Sequence, residues 1–372
     1  ARALYERAAA ILEKAFGPDY VEVAAILTNL ANLREKAKDF DGAAKLYVRA
    51  LAIQESTYGA GHPTSNATRS RLGRVVGAAG DEEGSRVHIE AAMLHTTAFI
   101  SGVLPGLPES DALVFITMGR EIRDRYLSHH ARPEDAKSVW TATLKWKGAV
   151  SRGLSARRDL SRGNPELEAL AERLASARRT LARLALAEVD PDAAAGHRAS
   201  LDNAVSERDA AEMTLAQASG VVSAELARRA AGPEDICAAL PPGTRLVDFH
   251  RYNDAKTAKY LAFVVGKDCD LSRVELGEAD LIDEAVAAHR ELLGARDSSG
   301  GLEQSDRIDV RGERVTALVW DPLAPHIGGA SNVLVAPDGA LAEVAFGSLP
   351  LTDGRYLIER LRVSYLDTPL DL

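Results

Sequence analysis

The fold is decided by one stretch near the end of the chain, residues 332–368, which reads NVLVAPDGALAEVAFGSLPLTDGRYLIERLRVSYLDT. Its first five residues, Asn332–Ala336, form an apolar run. A Pro-Asp-Gly turn follows, in which proline presets φ and glycine accepts a positive φ. A buried strand that ends in a tight turn is therefore predicted. Apolar and polar residues alternate between Leu361 and Tyr365, which predicts a second, half-buried strand.

Further strands are predicted upstream, over Leu246–Tyr252 and Lys259–Val265, with a third short strand ending at Leu276. Apolar residues then recur every three or four positions, which predicts one face of an amphipathic helix. They are Leu281, Ile282, Ala285, Val286, His289, Leu292 and Leu293. A second helix is predicted over Val310–Leu323. Strands that alternate with helices imply an α/β sheet.

The order and wording of these segments resemble the CHAT domain, a caspase-like peptidase family often found behind tetratricopeptide (TPR) repeats. The resemblance covers Thr244–Gly277 and 332–368, and Leu144–Gly148 (LKWKG) resembles the Leu-x-x-Lys-Gly element that precedes such domains. The family's histidine lies in a His-Gly element and its cysteine in a Ser-Ala-Cys element, both beyond the strand equivalent to 362–366. Neither motif occurs in this sequence. The resemblance therefore implies the N-terminal half of a CHAT domain, with no catalytic residue in this chain.

Length and composition restrict the class of protein. At 372 residues the chain is expected to contain two or three domains, and 46% hydrophobic with 27% charged residues is ordinary for a soluble globular protein. No apolar run approaches the roughly 20 residues that span a bilayer, so no membrane segment is expected. The net charge of −9 argues against generic nucleic-acid binding by the whole chain. Two cysteines are too few for a disulfide framework, which favours a reducing compartment and a cytoplasmic location.

The N-terminal part contains an internal repeat. An offset of 42 residues aligns Leu4 with Leu46 and Gly17 with Gly59, within a shared motif LYxRAxAIxExxxG. This motif resembles the 42-residue TPR variety of kinesin light chains, in which helix pairs must stack to bury their apolar faces. The register equates the first sixteen residues with the second helix of a repeat. A further copy from Ser85 is degenerate.

The predicted fold class is multidomain. An all-α TPR superhelix, 1–98, and a helical linker region, 99–230, precede an α/β caspase-like (CHAT) domain, 231–372, which is incomplete in this chain. Within the linker region, leucine-rich stripes predict long antiparallel helices over Glu166–Glu188 and Ser200–Arg229, linked by a break at Asp190-Pro191-Asp192.

Candidate binding residues come from the TPR resemblance, since such arrays bind peptides along the first helix of each repeat. This places Asn29 and Asn32, and one period later Arg71 and Arg74, on a candidate groove. A solvated polar helix face is the alternative reading.

A second candidate surface is the segment 145–183, which holds ten basic residues against four acidic ones. It could receive RNA or an acidic partner, although a solvated helix face is the default. Nucleic acid is therefore expected as a partner only indirectly.

The two cysteines and the histidines of the chain are predicted to have structural and not catalytic or metal-binding roles. Cys269 lies in a predicted surface turn and Cys237 at the passage between domains, so neither is expected to be a nucleophile. His250 ends an apolar stretch, and the other histidines lack neighbouring cysteines or carboxylates at ligand spacing. No metal and no cofactor are expected.

The resemblance implies that the chain is the sensor and regulatory portion of a TPR-CHAT cysteine protease. The repeats would bind a protein or peptide partner, and the complete enzyme would cleave a protein target in bacterial defence. Family members cleave gasdermin-like pore formers or act with CRISPR effectors. The second half of the CHAT domain is thus an expected partner of this chain. The alternative is a non-enzymatic TPR scaffold with a degenerate CHAT domain.

Overall fold

The computed structural model describes residues 2–104, 107, 109–150, 164–185, 187, 194–229, 232–254, 257–294 and 312–372. Packing groups the chain into two compact units. Unit 1 comprises Ala1–Arg120 and Gly148–Ala230, and unit 2 comprises Glu121–Lys147 and Ala231–Leu372. Each unit is therefore assembled from two separate stretches of sequence.

Unit 1 begins with a single helix followed by two helix pairs. These helices are α1 (Arg2–Phe16), α2 (Val21–Lys36), α3 (Phe40–Tyr58), α4 (Pro63–Ala78) and α5 (Glu82–Gly102). Each helix packs against the next one along the chain. The repeat predicted from the sequence is thus confirmed as a structural repeat, and the degenerate copy from Ser85 lies within a full helix, α5.

The second helix of each pair starts with the same cap. Asp39 accepts a hydrogen bond from the N–H of Gly42 at 2.9 Å, and Asp81 accepts one from the N–H of Gly84 at 2.8 Å. Such caps satisfy N–H groups that have no partner within the helix. A Cβ atom on either glycine would overlap the capping carboxylate. The 42-residue period thus extends to the residues that start α3 and α5.

The middle of the chain is helical where the structure describes it. Its helices are α6 (Glu109–His129), α7 (Ala136–Leu144), α8 (Pro165–Ala185), α9 (Ala194–Arg229) and α10 (Pro233–Ala239). In unit 1, α8 and α9 pack together through a stripe that includes Leu167, Leu174, Ala211 and Leu215. The two long helices predicted for this region are confirmed, whereas the break predicted at Asp190-Pro191-Asp192 falls outside the described residues.

Unit 2 is built on a five-stranded mixed sheet in the order β3-β2-β1-β4-β5. Its strands are β1 (Thr244–Asp254), β2 (Thr257–Val265), β3 (Leu271–Glu278), β4 (Asn332–Ala336) and β5 (Arg362–Tyr365). β1, β2 and β3 pair antiparallel, whereas β4 and β5 continue the sheet from β1 in parallel. All five strands predicted from the sequence are confirmed. β5 was predicted to be half-buried, but it forms one edge of the described sheet and is largely exposed.

Helical segments cover the sheet. The helix α11 (Ala279–Gly294) buries Ile282, Ala285 and Val286 in a core shared with the strands. Leu281 was predicted on the same face but is 43% exposed, because it lies on the flank of that stripe. A π-helical turn, Thr316–Trp320, and a short helix α12 (Ala324–Ile327) complete the layer. Residues 312–315 are α-helical and run directly into this π-helical turn, so the helix predicted over Val310–Leu323 is confirmed from 312 to Trp320, and its first two residues fall outside the described residues.

The structure corrects the prediction of two separate cysteines. Cys237 of α10 and Cys269 of the β2–β3 turn are joined by a disulfide, with their Cα atoms 5.3 Å apart. The two residues stand 32 positions apart, and they meet because the β2–β3 hairpin folds back towards α10. The inference of a reducing compartment, and with it the cytoplasmic location, therefore loses the support of free cysteines.

Candidate functional site

The candidate peptide groove of unit 1 is formed by α2 and α4, the first helices of the two pairs. Asn29 on α2 is exposed. Asn32, one turn further along, is half-buried, and its side-chain oxygen accepts a 2.6 Å hydrogen bond from the hydroxyl of Tyr47 on α3. Tyr47 itself is fully buried in the repeat core. Asn29 is thus exposed to solvent, whereas Asn32 is engaged in a contact between α2 and α3.

The two groove arginines also differ. Arg74 on α4 forms an ion pair with Glu35 on α2, whose side chain is only 12% exposed. This pair joins the two first helices across the groove. Arg71, one turn earlier on α4, is half-buried. The structure therefore places all four predicted residues on α2 and α4, and it shows that Asn32 and Arg74 contact side chains of other helices.

Unit 2 contains a buried polar cluster that the sequence did not predict. The ammonium nitrogen of Lys147 lies 2.8 Å from Oδ1 of Asp248 on β1, 2.9 Å from the carbonyl of Phe249 and 2.6 Å from that of Ala336. The other carboxylate oxygen of Asp248 accepts 3.0 Å hydrogen bonds from the indole of Trp140 and from Nε2 of His250. The cluster thus joins the segment after α7 to β1 and to the end of β4.

The charges in this cluster balance each other. Burial alone would raise the pKa of Asp248, but the charge of Lys147 and the interaction with His250 outweigh burial and lower it. A carboxylate of lowered pKa stays ionised and acts only as an acceptor, so the facing nitrogen of His250 carries the proton. The arrangement satisfies every polar atom named above and contains no sulfur nucleophile. Its contacts attach the segment after α7 to the sheet.

The same edge of β1 is covered further along by other side chains. β4 pairs only with Thr244–Asp248, so the rest of β1 extends beyond it. Arg123 of α6 donates to the carbonyl of Arg251 at 2.8 Å, and Asp338 accepts from the N–H of Arg251 at 2.8 Å. Asp124 accepts from the N–H of Asn253 at 3.1 Å. Side chains therefore satisfy backbone groups of Arg251 and Asn253 along the part of β1 that extends beyond β4.

At the β5 edge of the sheet, in contrast, the outward-facing backbone adjoins an apolar depression. The N–H groups of Arg362 and Leu366 donate to carbonyls of Ser331 and Val335 beside β4. Because neighbouring residues of a strand point in opposite directions, the backbone groups of Val363 and Tyr365 face away from β4. An apolar depression of about 470 Å³ adjoins them. Its lining includes Ile358, which is 67% exposed, and Tyr365, which is 49% exposed.

Metal and cofactor sites are the last candidates. In the described ranges, no three histidine, cysteine or acidic side chains come close enough to hold a metal ion together. Both cysteines are bound in the disulfide. No sequence pattern indicated that the cysteines pair or which groups Lys147 contacts, although the LKWKG resemblance singles out the segment that contains this lysine.

Comparison with known proteins supports the repeat part of this description. A family model for the tetratricopeptide repeat matches residues 1–56 and 22–93. No curated protein matches the chain. The match coincides with the two helix pairs and with the groove helices α2 and α4. TPR repeats of this kind are protein-binding or regulatory modules. None of the helices described is both long enough and apolar enough to cross a bilayer.

Proposed function

We propose that this chain is the sensor and regulatory portion of a TPR-CHAT caspase-like cysteine protease. Its repeats bind a protein partner, and its sheet is the scaffold on which a catalytic half assembles. The histidine and cysteine of the reaction are supplied from outside the residues 1–372. On this proposal the complete enzyme cleaves a protein target, such as a gasdermin-like one, in the bacterial cytoplasm. The boundaries 1–98, 99–230 and 231–372 are part of the same proposal.

The observation that carries the binding function is the Arg74–Glu35 ion pair, which joins α2 to α4, the first helices of the two repeats. The exposed Asn29 lies on α2 and the half-buried Arg71 on α4, and the Arg74–Glu35 ion pair links the two helices. A side-chain amide and a guanidinium on rigid helices suit the main-chain and acidic groups of an extended peptide. The family match over residues 22–93 supports the same use of these helices.

A peptide array tests the groove. The unaltered chain and the Asn29→Ala/Arg71→Glu variant are each bound to the same set of extended peptides. We expect the variant to lose most of the spots that the unaltered chain binds. Arg86→Glu is the matched control, because this substitution makes the same change of charge outside the groove. Arg86 lies on α5, the second helix of its pair, and its side chain is 45% exposed. An Asn29/Arg71 variant that folds and binds the same peptides as the unaltered chain would exclude this groove.

The proposal of a second catalytic half rests on the β5 edge. Unpaired backbone groups beside an apolar depression are the features that an added strand requires. Amide hydrogen exchange tests whether the edge is open in this chain. We expect slow exchange at Arg362 and Leu366, which donate towards β4, and fast exchange at Val363 and Tyr365. Equal and strong protection of all four amides without a partner would favour the alternative, a non-enzymatic scaffold with a closed sheet.

A further inference from the structure

The disulfide between Cys237 and Cys269 lies where the chain enters unit 2 for the second time. Cys237 belongs to α10, the first helix after residue 231, and is 2% exposed. Cys269 lies in the tight turn between β2 and β3 and is half-buried. One sulfur is thus enclosed and the other is partly accessible to solvent.

The turn is shaped to present Cys269. Its N–H donates to the carbonyl of Gly266 at 3.0 Å, and its φ of 56° lies in the left-handed region that residues other than glycine rarely adopt. The turn is closed by a 2.9 Å hydrogen bond between Gly266 and Asp270. Asp270 forms an ion pair with Arg245 of β1. The position of Cys269 is therefore fixed by the hairpin and not by the disulfide alone.

The helix α10 depends more on this bond. It has only seven residues, and a helix of that length is not stable by itself. Its residues Pro233 and Ile236 and the following Leu240 are buried, and Glu234 forms an ion pair with Lys137 in which both side chains are well exposed. Exposed ion pairs stabilise little. Apart from the buried side chains of Pro233, Ile236 and Leu240, the disulfide is the attachment of α10 that the hairpin provides.

We propose that Cys237 and Cys269 form a reversible thiol–disulfide switch that fastens α10 to the β2–β3 turn. The oxidant is a small disulfide such as oxidised glutathione. The thiolate of Cys269 attacks one sulfur of it, a mixed disulfide forms, and one glutathione thiolate leaves. The thiolate of Cys237 then attacks the sulfur of Cys269 and expels the second glutathione. The two protons of the protein thiols end on the two glutathione molecules, and the reverse sequence reduces the protein.

The order of attack follows from exposure. A small disulfide can reach the half-buried Cys269 in its surface turn, whereas Cys237 of α10 is fully buried. Single variants separate the two roles. Cys237→Ser is expected to accumulate a mixed disulfide with glutathione at Cys269, because no second thiol can displace it. Cys269→Ser is expected to react far more slowly under the same conditions.

The experiment uses the full chain, reduced and then incubated with mixtures of reduced and oxidised glutathione. Intact-mass spectrometry is expected to show loss of two hydrogen masses as the oxidised form increases, and recovery as reduced glutathione increases. Hydrogen exchange of residues 233–240 is expected to lose protection on reduction, with no such change in the Cys237→Ser/Cys269→Ser variant. Thiols that stay open to alkylation at every ratio, or a bond that no glutathione mixture reduces, would overturn the switch. So would unchanged exchange in α10.

Discussion

Lys147 and Asp248 stand 101 positions apart in the sequence, yet their charged groups lie 2.8 Å apart in the interior of unit 2. Their side chains are 12% and 1% exposed. Removal of one partner from a buried pair leaves an uncompensated charge, which is strongly destabilising. The pair therefore determines whether the segment after α7 stays attached to the sheet.

Replacement of Lys147 by Met is expected to lower the free energy of unfolding of unit 2 by about 3–5 kcal/mol. All three tryptophans of the chain, Trp140, Trp146 and Trp320, belong to unit 2, so urea unfolding followed by tryptophan fluorescence reports on this unit. Lys147→Met/Asp248→Asn should recover part of the loss, because it removes both charges.

Lys137→Met is the matched control, since Lys137 is 58% exposed in its ion pair. It should unfold like the unaltered chain. A Lys147→Met variant that unfolds at the same urea concentration as this control would contradict the anchoring role.

Asn29 and Asn32 are expected to differ in their effect on stability. Asn32→Ala removes the acceptor of the Tyr47 hydroxyl and should cost about 1 kcal/mol. Asn29→Ala changes an exposed side chain and should stay within about 0.5 kcal/mol. Thermal unfolding followed by far-ultraviolet circular dichroism measures both. Equal losses for the two variants would show that Asn32 has no special role in the repeat core.

The buried imidazole of His289 is expected to make the stability of unit 2 depend on pH. It is 2% exposed, and neither ring nitrogen has a hydrogen-bond partner among the described residues. Burial lowers the pKa of this imidazole. Below about pH 6.5 the unfolded chain then binds more protons than the folded one. The free energy of unfolding should keep its full value at pH 8, where His289 is neutral in both states, and should decrease as the pH is lowered through 6.5.

His289→Leu tests this dependence, because it removes the titrating group and keeps an apolar side chain. Tryptophan-monitored urea unfolding at pH 8 and pH 5.5 should show a smaller loss of stability on acidification than in the unaltered chain. His326→Leu is a suitable control, since that histidine is exposed. An identical loss in the unaltered chain and in both variants would assign the acid sensitivity to other groups.

The chain by itself is expected to have no thiol-dependent peptidase activity. It lacks the His-Gly and Ser-Ala-Cys elements of the family, and Cys237 and Cys269 are bound to each other. Without a free thiolate and an activating histidine no acyl-enzyme can form. A broad peptide library, assayed with and without a thiol reductant, measures this. Turnover that disappears in Cys237→Ala or Cys269→Ala would contradict the prediction.

Much of the fold could be predicted because it depends on local patterns. The strand Asn332–Ala336 is an uninterrupted apolar run, and the stacked helices follow from a repeat that is visible in the letters. The disulfide could not be predicted, because a count of two cysteines gives no distance between Cys237 and Cys269. The environment of Lys147 was equally hidden, since its partners lie on strands about a hundred or more positions away.

The candidate groove shows the same limit. The repeat register correctly placed four polar residues on α2 and α4, since helical periodicity fixes which face each residue occupies. It could not distinguish Asn29 from Asn32, because the hydroxyl that engages Asn32 comes from Tyr47 on another helix. Periodicity predicts faces, and contacts between elements then decide which side chains remain accessible.

The composition of unit 2 from two separate stretches of sequence has a consequence for its synthesis. Glu121–Lys147 leaves the ribosome before the rest of its unit, and its partners Asp248 and Ala336 follow only after the whole of Gly148–Ala230. During synthesis the early stretch has no sheet to pack against until the later stretch is made, so unit 2 can assemble only late. A single backbone cut within Gly148–Ala230 should accordingly leave the two stretches of unit 2 associated, as a complex of two chains held by that interior lysine.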